Sequence, residues 1–453
     1  MKQAKGSLRF KISLFLMVFL LICGSTPIYA NQDVKNLAVA QNLNAVSVFK
    51  INDRLASKDL SDNLINTTFM FDQESILTIT SQSDIAYVYI LFDRPPFPYT
   101  VHYENISQDA GISGFLHELI PLKVASKNIT INMPEGRVAS LYVYSAGQLP
   151  KNVQQWNPPC QDADLLVLPA HGDDEALYFG PAIAISVAQG KQVQVAYLVD
   201  HSLTDRRRPH ETLDSLWELG VTAYPIFGAY KDMQSRSLAH AKTIYPEAEL
   251  LKTQVDLIRR FKPEVIMSHD FAGEYGHGAH MLVSDVLTKA IHLSNDVSYN
   301  PVSAFMYGLF QPLKVYIHLY AQHEIFLDIY QPLDYFDGRT SFQVAKDAYE
   351  KHISQHIWPL KVIDYTIGDV RRFGLYATWV GPDTSNLLFE NIPAQLVLPE
   401  KPQPVIHILP DITHPIQKDF LHAMEIIVFV GLGILLVTLI RLGFRAKKKT
   451  RRS

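Results

Sequence analysis

Two short stretches of the sequence bring together histidine and carboxylate side chains, which bind metal ions and move protons in enzymes. The first covers residues 170–175 and reads Ala-His-Gly-Asp-Asp-Glu, shortly after the apolar run Leu165–Leu168. The second covers residues 275–280 and reads Tyr-Gly-His-Gly-Ala-His, a few residues after the run Val265–Ser268. In open α/β sheets, chemistry gathers at the carboxyl ends of strands. Two such strand ends therefore predict one metal-centred hydrolytic site.

The first stretch supplies two candidate metal ligands. His171 and Asp174 lie three residues apart on a tight turn, so their side chains can converge while Asp173 points elsewhere. A neutral imidazole and a carboxylate suit Zn²⁺, and a catalytic zinc ion takes three protein ligands and leaves one position for water. The third ligand should come from another strand end, and His280 is the best candidate. The predicted cofactor is therefore Zn²⁺, which Fe²⁺ could replace.

Other polar side chains of the two stretches suit the steps of amide hydrolysis. Zinc lowers the pKa of its bound water to about 7, and Asp173 could take the proton as hydroxide attacks a carbonyl. The Tyr275 hydroxyl could stabilise the resulting oxyanion. Either His277 or protonated Asp173 could give a proton to the departing amine. We expect His269 and Asp270 to tie their loop by hydrogen bonds, and a supporting role behind the metal ligands is the alternative.

The elements that position these residues alternate between strand-like and helix-like runs from Asp164 onward. The predicted strands are Leu165–Leu168, Val193–Val199 and Val265–Ser268, and the predicted helices are Ala176–Gln189, Glu211–Leu219, Glu247–Phe261 and His280–Ile291. This alternation predicts a Rossmann-like parallel sheet flanked by helices. We assign the α/β domain to residues 159–390, without a topology for residues 300–385.

The part of the chain before the α/β domain has the pattern of an all-β domain. Short runs between positions 40 and 150 alternate apolar and polar residues, and turn-rich pieces separate them. That pattern predicts a β-sandwich, which we assign to residues 31–158. Residues 146–159 resemble the end of galactose-binding-like (discoidin-type) jelly rolls. That resemblance leaves two roles open, either carbohydrate binding or packing beside a catalytic domain.

The N-terminal segment has the features of a secretory signal. Four basic residues precede the mainly apolar run Ile12–Ile22, and a polar, proline-containing exit continues to Ala30. This order predicts a signal peptide over residues 1–30, cleaved after Ala30. An uncleaved membrane anchor is the alternative.

The C-terminal segment has the features of a membrane anchor. Residues 426–440 contain no polar residue except Thr438, and extension to Phe444 gives a helix of roughly 28 Å, about one hydrocarbon thickness. We predict a proline-rich stalk over residues 391–422, a transmembrane helix over 423–444 and a basic cytoplasmic tail over 445–453. With the signal peptide, these features predict a single-pass protein of the cell membrane. Its folded domains would lie outside the cytoplasm.

Composition limits the other function classes. The formal net charge of −4 gives no electrostatic reason to expect nucleic acid as a partner. Of the two cysteines, Cys23 lies in the predicted signal peptide, so Cys160 has no intramolecular disulfide partner in the mature chain. The sequence contains neither a Gly-x-Ser-x-Gly elbow nor a P-loop.

Three ordered blocks resemble the PIG-L or LmbE-like zinc de-N-acetylases, which remove acetyl groups from N-acetylglucosamine-containing substrates. Their signature Pro/Ala-His-Pro-Asp-Asp-Glu is similar to residues 170–175, and Tyr-Gly-His-Pro-Asp-His is similar to residues 275–280. Between them, Arg-x-x-Glu followed by Leu-Gly-Val matches residues 208–211 and 219–221. The resemblance spans roughly residues 160–385, and it includes a later helix near residues 342–355.

The resemblance implies the same three zinc ligands and a role for four further residues. Asp173 is implied as the general base, and Tyr275 as the polariser of the scissile carbonyl. His277 is implied as a proton donor or electrostatic partner. Arg208 looks like a clamp for the substrate or for the site, and we expect Glu211 to be its structural partner.

Two departures from the family pattern matter for the site. Gly172 stands where the family has proline, and Ala279 stands where it has an aspartate, so an orienting partner for His277 must come from elsewhere. We expect a zinc-dependent N-deacetylase that acts on an N-acetylglucosamine-type sugar or glycoconjugate at the outer face of the membrane. Two alternatives remain open. One is a catalytically inactive, membrane-anchored carbohydrate-binding protein, and the other is an amidase acting on a non-sugar amide.

Overall fold

The computed structural model describes residues 38–62 and 64–392. From Ala40 onward these residues belong to one compact unit, which contains two sheets. The predicted signal peptide, transmembrane helix and basic tail lie outside the described residues, as does nearly all of the predicted stalk. We find no helix among the described residues with the length and apolar character needed to cross a membrane.

The first sheet is antiparallel and contains eight strands in one hydrogen-bonded network. These strands are β1 (Ser47–Ile51), β2 (Arg54–Leu55), β3 (Phe69–Phe71), β4 (Ile76–Phe92), β5 (Tyr99–Tyr103), β6 (Ile106–Ala110), β7 (His117–Asn132) and β8 (Gly136–Tyr144). The long strands β4 and β7 pair with each other, and β4 also pairs with β1 near its start and with β8 near its end. The all-β prediction is thereby confirmed for this region, while the galactose-binding-like sandwich stays a prediction.

Alternation of apolar residues gives this sheet its core. Leu77 and Ile79 of β4 are fully buried, and so are Ile129 and Ile131 on the paired part of β7. The residue between them is a threonine on each strand, Thr78 and Thr130. A period of two places one set of side chains on each face of a strand, which explains why these apolar residues share one core.

The second sheet has six strands in the order β10-β9-β11-β12-β14-β13. Its strands are β9 (Leu165–Leu168), β10 (Val193–Val195), β11 (Val265–Ser268), β12 (Lys314–His318), β13 (Glu324–Phe326) and β14 (Arg372–Thr378). The strands β9 to β12 pair in parallel, and β14 and β13 add an antiparallel edge. The Rossmann-like parallel sheet is therefore confirmed, with an antiparallel extension formed by the part of the chain for which no topology was predicted.

The strand order reverses at one point, and this point determines where a site can form. From β9 the chain passes to β10 on one side, and it then returns to β11 on the other side of β9. Ligands bind at such topological switch points, outside the carboxyl ends of the strands. The two sequence stretches rich in histidine and aspartate follow β9 and β11, so they meet at this crevice.

Helices cover both faces of the second sheet. They are α1 (Asp174–Leu177), α2 (Gly180–Ala188), α3 (Arg207–Glu218), α4 (Leu238–Ile244), α5 (Glu247–Phe261), α6 (Gly278–Leu293), α7 (Pro301–Tyr307) and α8 (Ser341–Tyr349). One core contains side chains of α2, α3 and α8, and another contains side chains of α4, α5 and α6. The predicted helix Ala176–Gln189 is in fact two helices, because Tyr178 has a φ of −121° outside helical geometry and a new helix begins at Gly180, with Pro181 in its first turn.

The first sheet packs against α3 through buried polar groups. Nε2 of His117 lies 2.8 Å from Nδ1 of His210, and the Tyr89 hydroxyl lies 3.2 Å from Nδ1 of His117. Nearby, Nε2 of Gln154 donates to Oδ1 of Asp214 at 2.5 Å. Burial lowers the pKa of His210 to about 4 and raises the pKa of Asp214 to about 7. His210 is therefore neutral at physiological pH, and Asp214 binds its proton more tightly than an ordinary aspartate does.

Candidate metal centre

The three predicted metal ligands meet at the switch point. His171 lies on the turn between β9 and α1, Asp174 is the first residue of α1, and His280 lies in the first turn of α6. Nδ1 of His171 is 3.2 Å from Oδ2 of Asp174 and 3.2 Å from Nε2 of His280. The same nitrogen of His280 is 3.4 Å from Oδ1 of Asp174. All three side chains are buried.

These separations fit a tetrahedral cation. Ligand atoms bound to zinc at about 2.1 Å in tetrahedral geometry lie about 3.4 Å from one another. Here Nδ1 of His171 lies 3.2 Å from Nε2 of His280 and 3.2 Å from Oδ2 of Asp174, and Nε2 of His280 lies 3.4 Å from the other carboxylate oxygen, Oδ1, of Asp174. Two imidazole nitrogens and a carboxylate that face one another at this range are stabilised by a positive charge between them. The donor set and its spacing therefore suit zinc, and iron(II) accepts the same ligands.

His269 is a second histidine near Asp174, and one of its ring nitrogens lies within 4.8 Å of ligand atoms of Asp174 and His280. Its Nε2 lies 3.3 Å from Oδ2 of Asp174 but accepts the backbone N–H of Ala170 at 3.0 Å. Its Nδ1 faces Oε1 of Glu274 at 3.1 Å. Because both ring nitrogens already have partners, His269 holds its neighbours in place. The expectation that it ties the loop by hydrogen bonds is confirmed.

Asp173 lies beside the three candidate ligands, and its surroundings raise its pKa into the range that suits a general base. Its side chain is buried, and its Oδ1 accepts from Nη2 of Arg208 at 3.2 Å. Burial raises the pKa of Asp173 to about 6, although the guanidinium of Arg208 opposes the rise. A carboxylate with a pKa near neutrality can both accept and return a proton at physiological pH.

Arg208 lies in the first turn of α3 and connects three acceptors around the site. Besides Asp173, its Nη2 donates to the carbonyl oxygen of Gly172 at 2.6 Å, and its Nη1 donates to Oδ2 of Asp232 at 3.3 Å. The contacts make Arg208 a clamp of the site. The expected pairing of Glu211 with Arg208 is wrong, because Glu211 accepts from the backbone N–H of Ser354 at 2.9 Å and from the Ser354 hydroxyl.

Asp232 is a site residue that no sequence motif marked. It lies between α3 and α4, where the sequence shows only a loop. Its Oδ1 is 3.7 Å from Nε2 of His171, and its Oδ2 is 3.5 Å from Nδ1 of His201. The Asp232 side chain remains 26% exposed. It therefore forms part of the mouth of the site, where a polar substrate group can reach it.

Tyr275 and His277 border the same space. The Tyr275 ring lies 5.6 Å from the His280 ring between centroids, and Tyr275 is 50% exposed. Burial and the carboxylates of Asp174 and Asp173 raise the pKa of Tyr275, so its hydroxyl keeps its proton. The His277 ring lies 4.7 Å from the His171 ring. Both side chains are therefore placed to contact a group bound at the metal centre.

His277 has an orienting partner that the sequence did not suggest. Its Nδ1 accepts the backbone N–H of Ala279 at 3.3 Å, and this contact places the proton of the neutral ring on Nε2. Burial, followed by the neighbouring His171 and His280, lowers the pKa of His277 to about 3. The neutral ring can donate one hydrogen bond from Nε2, whereas its role as a proton donor stays a prediction.

Two glycines let the ligand-bearing turns approach their neighbours. The N–H of Gly172 donates to Nε2 of His201 at 2.8 Å, and a Cβ at this position would lie 2.2 Å from Oγ1 of Thr212. The N–H of Gly278 donates to the carbonyl oxygen of Ser235 at 2.9 Å, and a Cβ there would lie 2.2 Å from the carbonyl oxygen of Ser237. Neither position has room for a side chain.

Fold and site together define an α/β protein with a candidate metal centre at its switch point. Residues 166–291 match the family model described as PIG-L: GlcNAc-PI de-N-acetylase. Two curated relatives are both named 1D-myo-inositol 2-acetamido-2-deoxy-alpha-D-glucopyranoside deacetylase. The relative from Streptomyces avermitilis is 28% identical over 166 residues, which cover 31% of this chain and 56% of the relative. The relative from Mycobacterium leprae is 30% identical over 153 residues, which cover 28% of this chain and 49% of the relative.

The chain thus spans about half the length of the curated relatives it matches. Among solved structures, it is similar to an N,N'-diacetylchitobiose deacetylase from Pyrococcus horikoshii, with 18% identity and a TM-score of 0.35. The match covers 44% of this chain and 72% of the other. The family model and the curated relatives support the PIG-L (LmbE-like) deacetylase family for the α/β region.

Proposed function

We propose that this protein is a zinc-dependent N-deacetylase that hydrolyses the acetamide of an N-acetylglucosamine-type sugar or glycoconjugate. The observation that carries the proposal is the convergence of His171, Asp174 and His280 within 3.4 Å of one another, with Asp173 alongside. The region that holds them matches a de-N-acetylase family, and the matched relatives are named as deacetylases of an acetamido sugar.

Each residue of the candidate site has a role in one step of the proposed hydrolysis. A zinc ion held by the three ligands would polarise the scissile carbonyl and make water more acidic. Asp173 takes a proton from the attacking water as its oxygen bonds to the carbonyl carbon. The Tyr275 hydroxyl donates to the developing oxyanion. As the C–N bond breaks, Asp173 returns the proton to the amine, which gives acetate and a free amino sugar.

The mouth of the site provides groups for a sugar ring. Arg208 and Asp232 present donors and an acceptor next to Asp173, and Asp232 is partly exposed. Sugar hydroxyls both donate and accept hydrogen bonds, so a guanidinium beside a carboxylate can hold two neighbouring hydroxyls. We propose that this pair orients the amino sugar while its acetamide faces the metal. A purely apolar amide has no hydroxyl groups that could bind to Arg208 and Asp232.

Acetate release tests this function. The full chain should release acetate from at least one N-acetylglucosamine-containing glycan when it is loaded with zinc, and Asp173→Asn should bind zinc but lose activity by about 10²-fold or more. His280→Ala should lose both zinc and activity. His292→Ala is the matched control, because His292 is exposed on the same helix, α6. Equal turnover by Asp173→Asn and the wild type would eliminate Asp173 as the base.

The same experiment separates the alternatives. An inactive carbohydrate-binding protein would bind glycan without releasing acetate, and its degenerate centre would bind zinc weakly. An amidase with another substrate would bind zinc tightly but leave every acetylated glycan intact while cleaving non-sugar amides. The convergence of the three ligands, despite the departures at Gly172 and Ala279, favours the active enzyme.

We also propose that the enzyme is anchored in the cell membrane and acts outside the cytoplasm. Support comes from the signal-like residues 1–30, the apolar segment 423–444 and the basic residues that follow it. Removal of residues 423–453 should move the protein from the membrane fraction to the soluble fraction. An added protease should digest the folded domains in right-side-out vesicles while it leaves the basic tail protected. Retention of the truncated chain in membranes would contradict the C-terminal anchor.

A further inference from the structure

Glu274 lies behind the metal centre, in the middle of three buried histidines. Its Oε2 accepts from Nδ1 of His280 at 2.7 Å. Its Oε1 lies 3.1 Å from Nδ1 of His269 and 2.9 Å from Nδ1 of His318. The same Oε1 accepts the backbone N–H of Asp270 at 3.0 Å. All four contacts involve a side chain that has no exposure to solvent.

These contacts determine the tautomers of the rings. A carboxylate only accepts hydrogen bonds, so each ring must turn a protonated Nδ1 towards Glu274. A neutral His280 then has its lone pair on Nε2, which is the atom that faces His171 and Asp174. One buried carboxylate thus presents the ligand nitrogen of His280 in the form that a metal ion requires.

His318 provides a further hydrogen-bond partner for Glu274. Its Nε2 lies 3.1 Å from the carbonyl oxygen of Asp369, and its Nδ1 faces Glu274. The ring of His318 is therefore held from both sides, by a carboxylate and by a backbone carbonyl. A buried carboxylate requires hydrogen-bond partners for its lone pairs. His318 supplies one such partner from β12, the strand next to β11.

The backbone around Glu274 is bent to make this contact. Glu274 has a φ of +54°, in the left-handed region that is unfavourable for a residue with a side chain. Gly273 and Gly276 on either side have φ values of +73° and +89°. The bend buries Glu274 beneath His280 and leaves the next residue, Tyr275, half exposed. A strained conformation of this kind persists where the surrounding contacts hold it.

We propose that Glu274 is a positioning residue, which fixes the orientation and tautomer of the metal ligand His280 and is itself held in place by His318. The inference rests on the proposed function, because that function assigns His280 to zinc. None of the motifs in the sequence includes Glu274. Its role is therefore to set the zinc affinity of the site rather than to touch the substrate.

Zinc affinity of Glu274→Gln tests the inference. Glutamine keeps the shape but replaces one acceptor oxygen with an NH₂ group, which would face an imidazole N–H. The zinc dissociation constant, measured by competition with a chromophoric chelator, should rise by about 10- to 100-fold. Glu274→Asp keeps the charge on a shorter side chain and should recover part of the loss. Glu118→Gln is the matched control, because Glu118 accepts two hydrogen bonds in the first sheet, away from the metal centre.

Each outcome of this experiment supports or overturns the positioning role of Glu274. Weaker zinc binding by Glu274→Gln, with partial recovery in Glu274→Asp and no change in Glu118→Gln, supports the positioning role. An unchanged dissociation constant overturns it, and so does an equal loss in the Glu118 control. If Glu274→Gln does not fold, Glu274→Asp alone must show weaker binding, or the inference fails. Absence of zinc binding by the wild-type chain would instead refute the proposed function.

Discussion

Replacement of Gly172 by proline should destabilise this protein, although proline is the residue in the PIG-L pattern at this position. Proline has no N–H, so the 2.8 Å hydrogen bond to Nε2 of His201 would be lost. The ring would also introduce a Cβ, which at this position would lie 2.2 Å from Oγ1 of Thr212 and 3.2 Å from Cδ2 of His201. Proline at position 172 would therefore lose a hydrogen bond and create a steric clash in this chain.

The size of the loss follows from these two contacts. His201 is only 1% exposed, so its unpaired nitrogen cannot be satisfied by bulk water. A buried acceptor without a partner costs about 1–3 kcal/mol, and forced overpacking costs about 1–3 kcal/mol. Together they amount to about 2–6 kcal/mol, a large part of the roughly 5–15 kcal/mol that stabilises a typical domain.

Four variants separate the two contributions. Gly172→Ala adds the Cβ but keeps the N–H, and Thr212→Ala removes the hydroxyl that the Cβ would strike. The double variant Gly172→Ala/Thr212→Ala should therefore recover most of the thermal midpoint lost by Gly172→Ala, whereas Gly172→Pro/Thr212→Ala should remain destabilised by the lost hydrogen bond. Scanning calorimetry with zinc-loaded and zinc-free protein measures both effects. A Gly172→Pro midpoint equal to that of the wild type would refute this reasoning.

Three further changes test other parts of the structure. Tyr275→Phe should lower kcat by about 10²–10³-fold without changing the thermal midpoint, because Tyr275 is 50% exposed; loss of stability would contradict a purely catalytic role. Arg208→Lys keeps the charge but cannot reach three acceptors at once, so kcat/KM should fall at least tenfold; wild-type activity would exclude the clamp. Burial raises the pKa of Asp214 to about 7, above its unfolded value near 4, so wild-type stability should fall as pH rises between these values. The increase in thermal midpoint caused by Asp214→Asn should then grow from pH 4 to pH 7 and level off above pH 7. An increase that does not depend on pH would contradict the raised pKa of Asp214.

The convergence of the three candidate ligands could be predicted because local sequence determines most of their geometry. A buried parallel strand is a short apolar run, and the residues after it must lie at the carboxyl edge of the sheet. His171 and Asp174 follow such a run directly, and His280 starts the helix after another. The reversal of strand order between β9 and β11 then brings both edges together, so three residues from two distant segments meet within 3.4 Å.

The supporting residues could not be predicted because only the tertiary fold brings them near. His318 reaches Glu274 from β12, which follows a segment without a clear periodic pattern. Asp232 and His201 come from loops, where polar residues are common and carry no signal of their own. Glu274 has a distinctive backbone conformation, but glutamate gives no hint of it, since the left-handed region favours glycine and asparagine.

At positions 172 and 278 glycine stands where the family pattern has proline, and at both positions the glycine N–H donates a hydrogen bond. Gly172 and Gly278 each stand next to a metal-ligand or site histidine, and each uses the N–H that proline would lack to bind a neighbouring segment. A proline ring would stiffen these turns by fixing φ. In this chain, hydrogen bonds to His201 and to the carbonyl oxygen of Ser235 restrain the same turns. The position of the ligands therefore depends on the loop before α4. Substitutions in that loop that shift the Ser235 carbonyl should weaken zinc binding even though they touch no ligand.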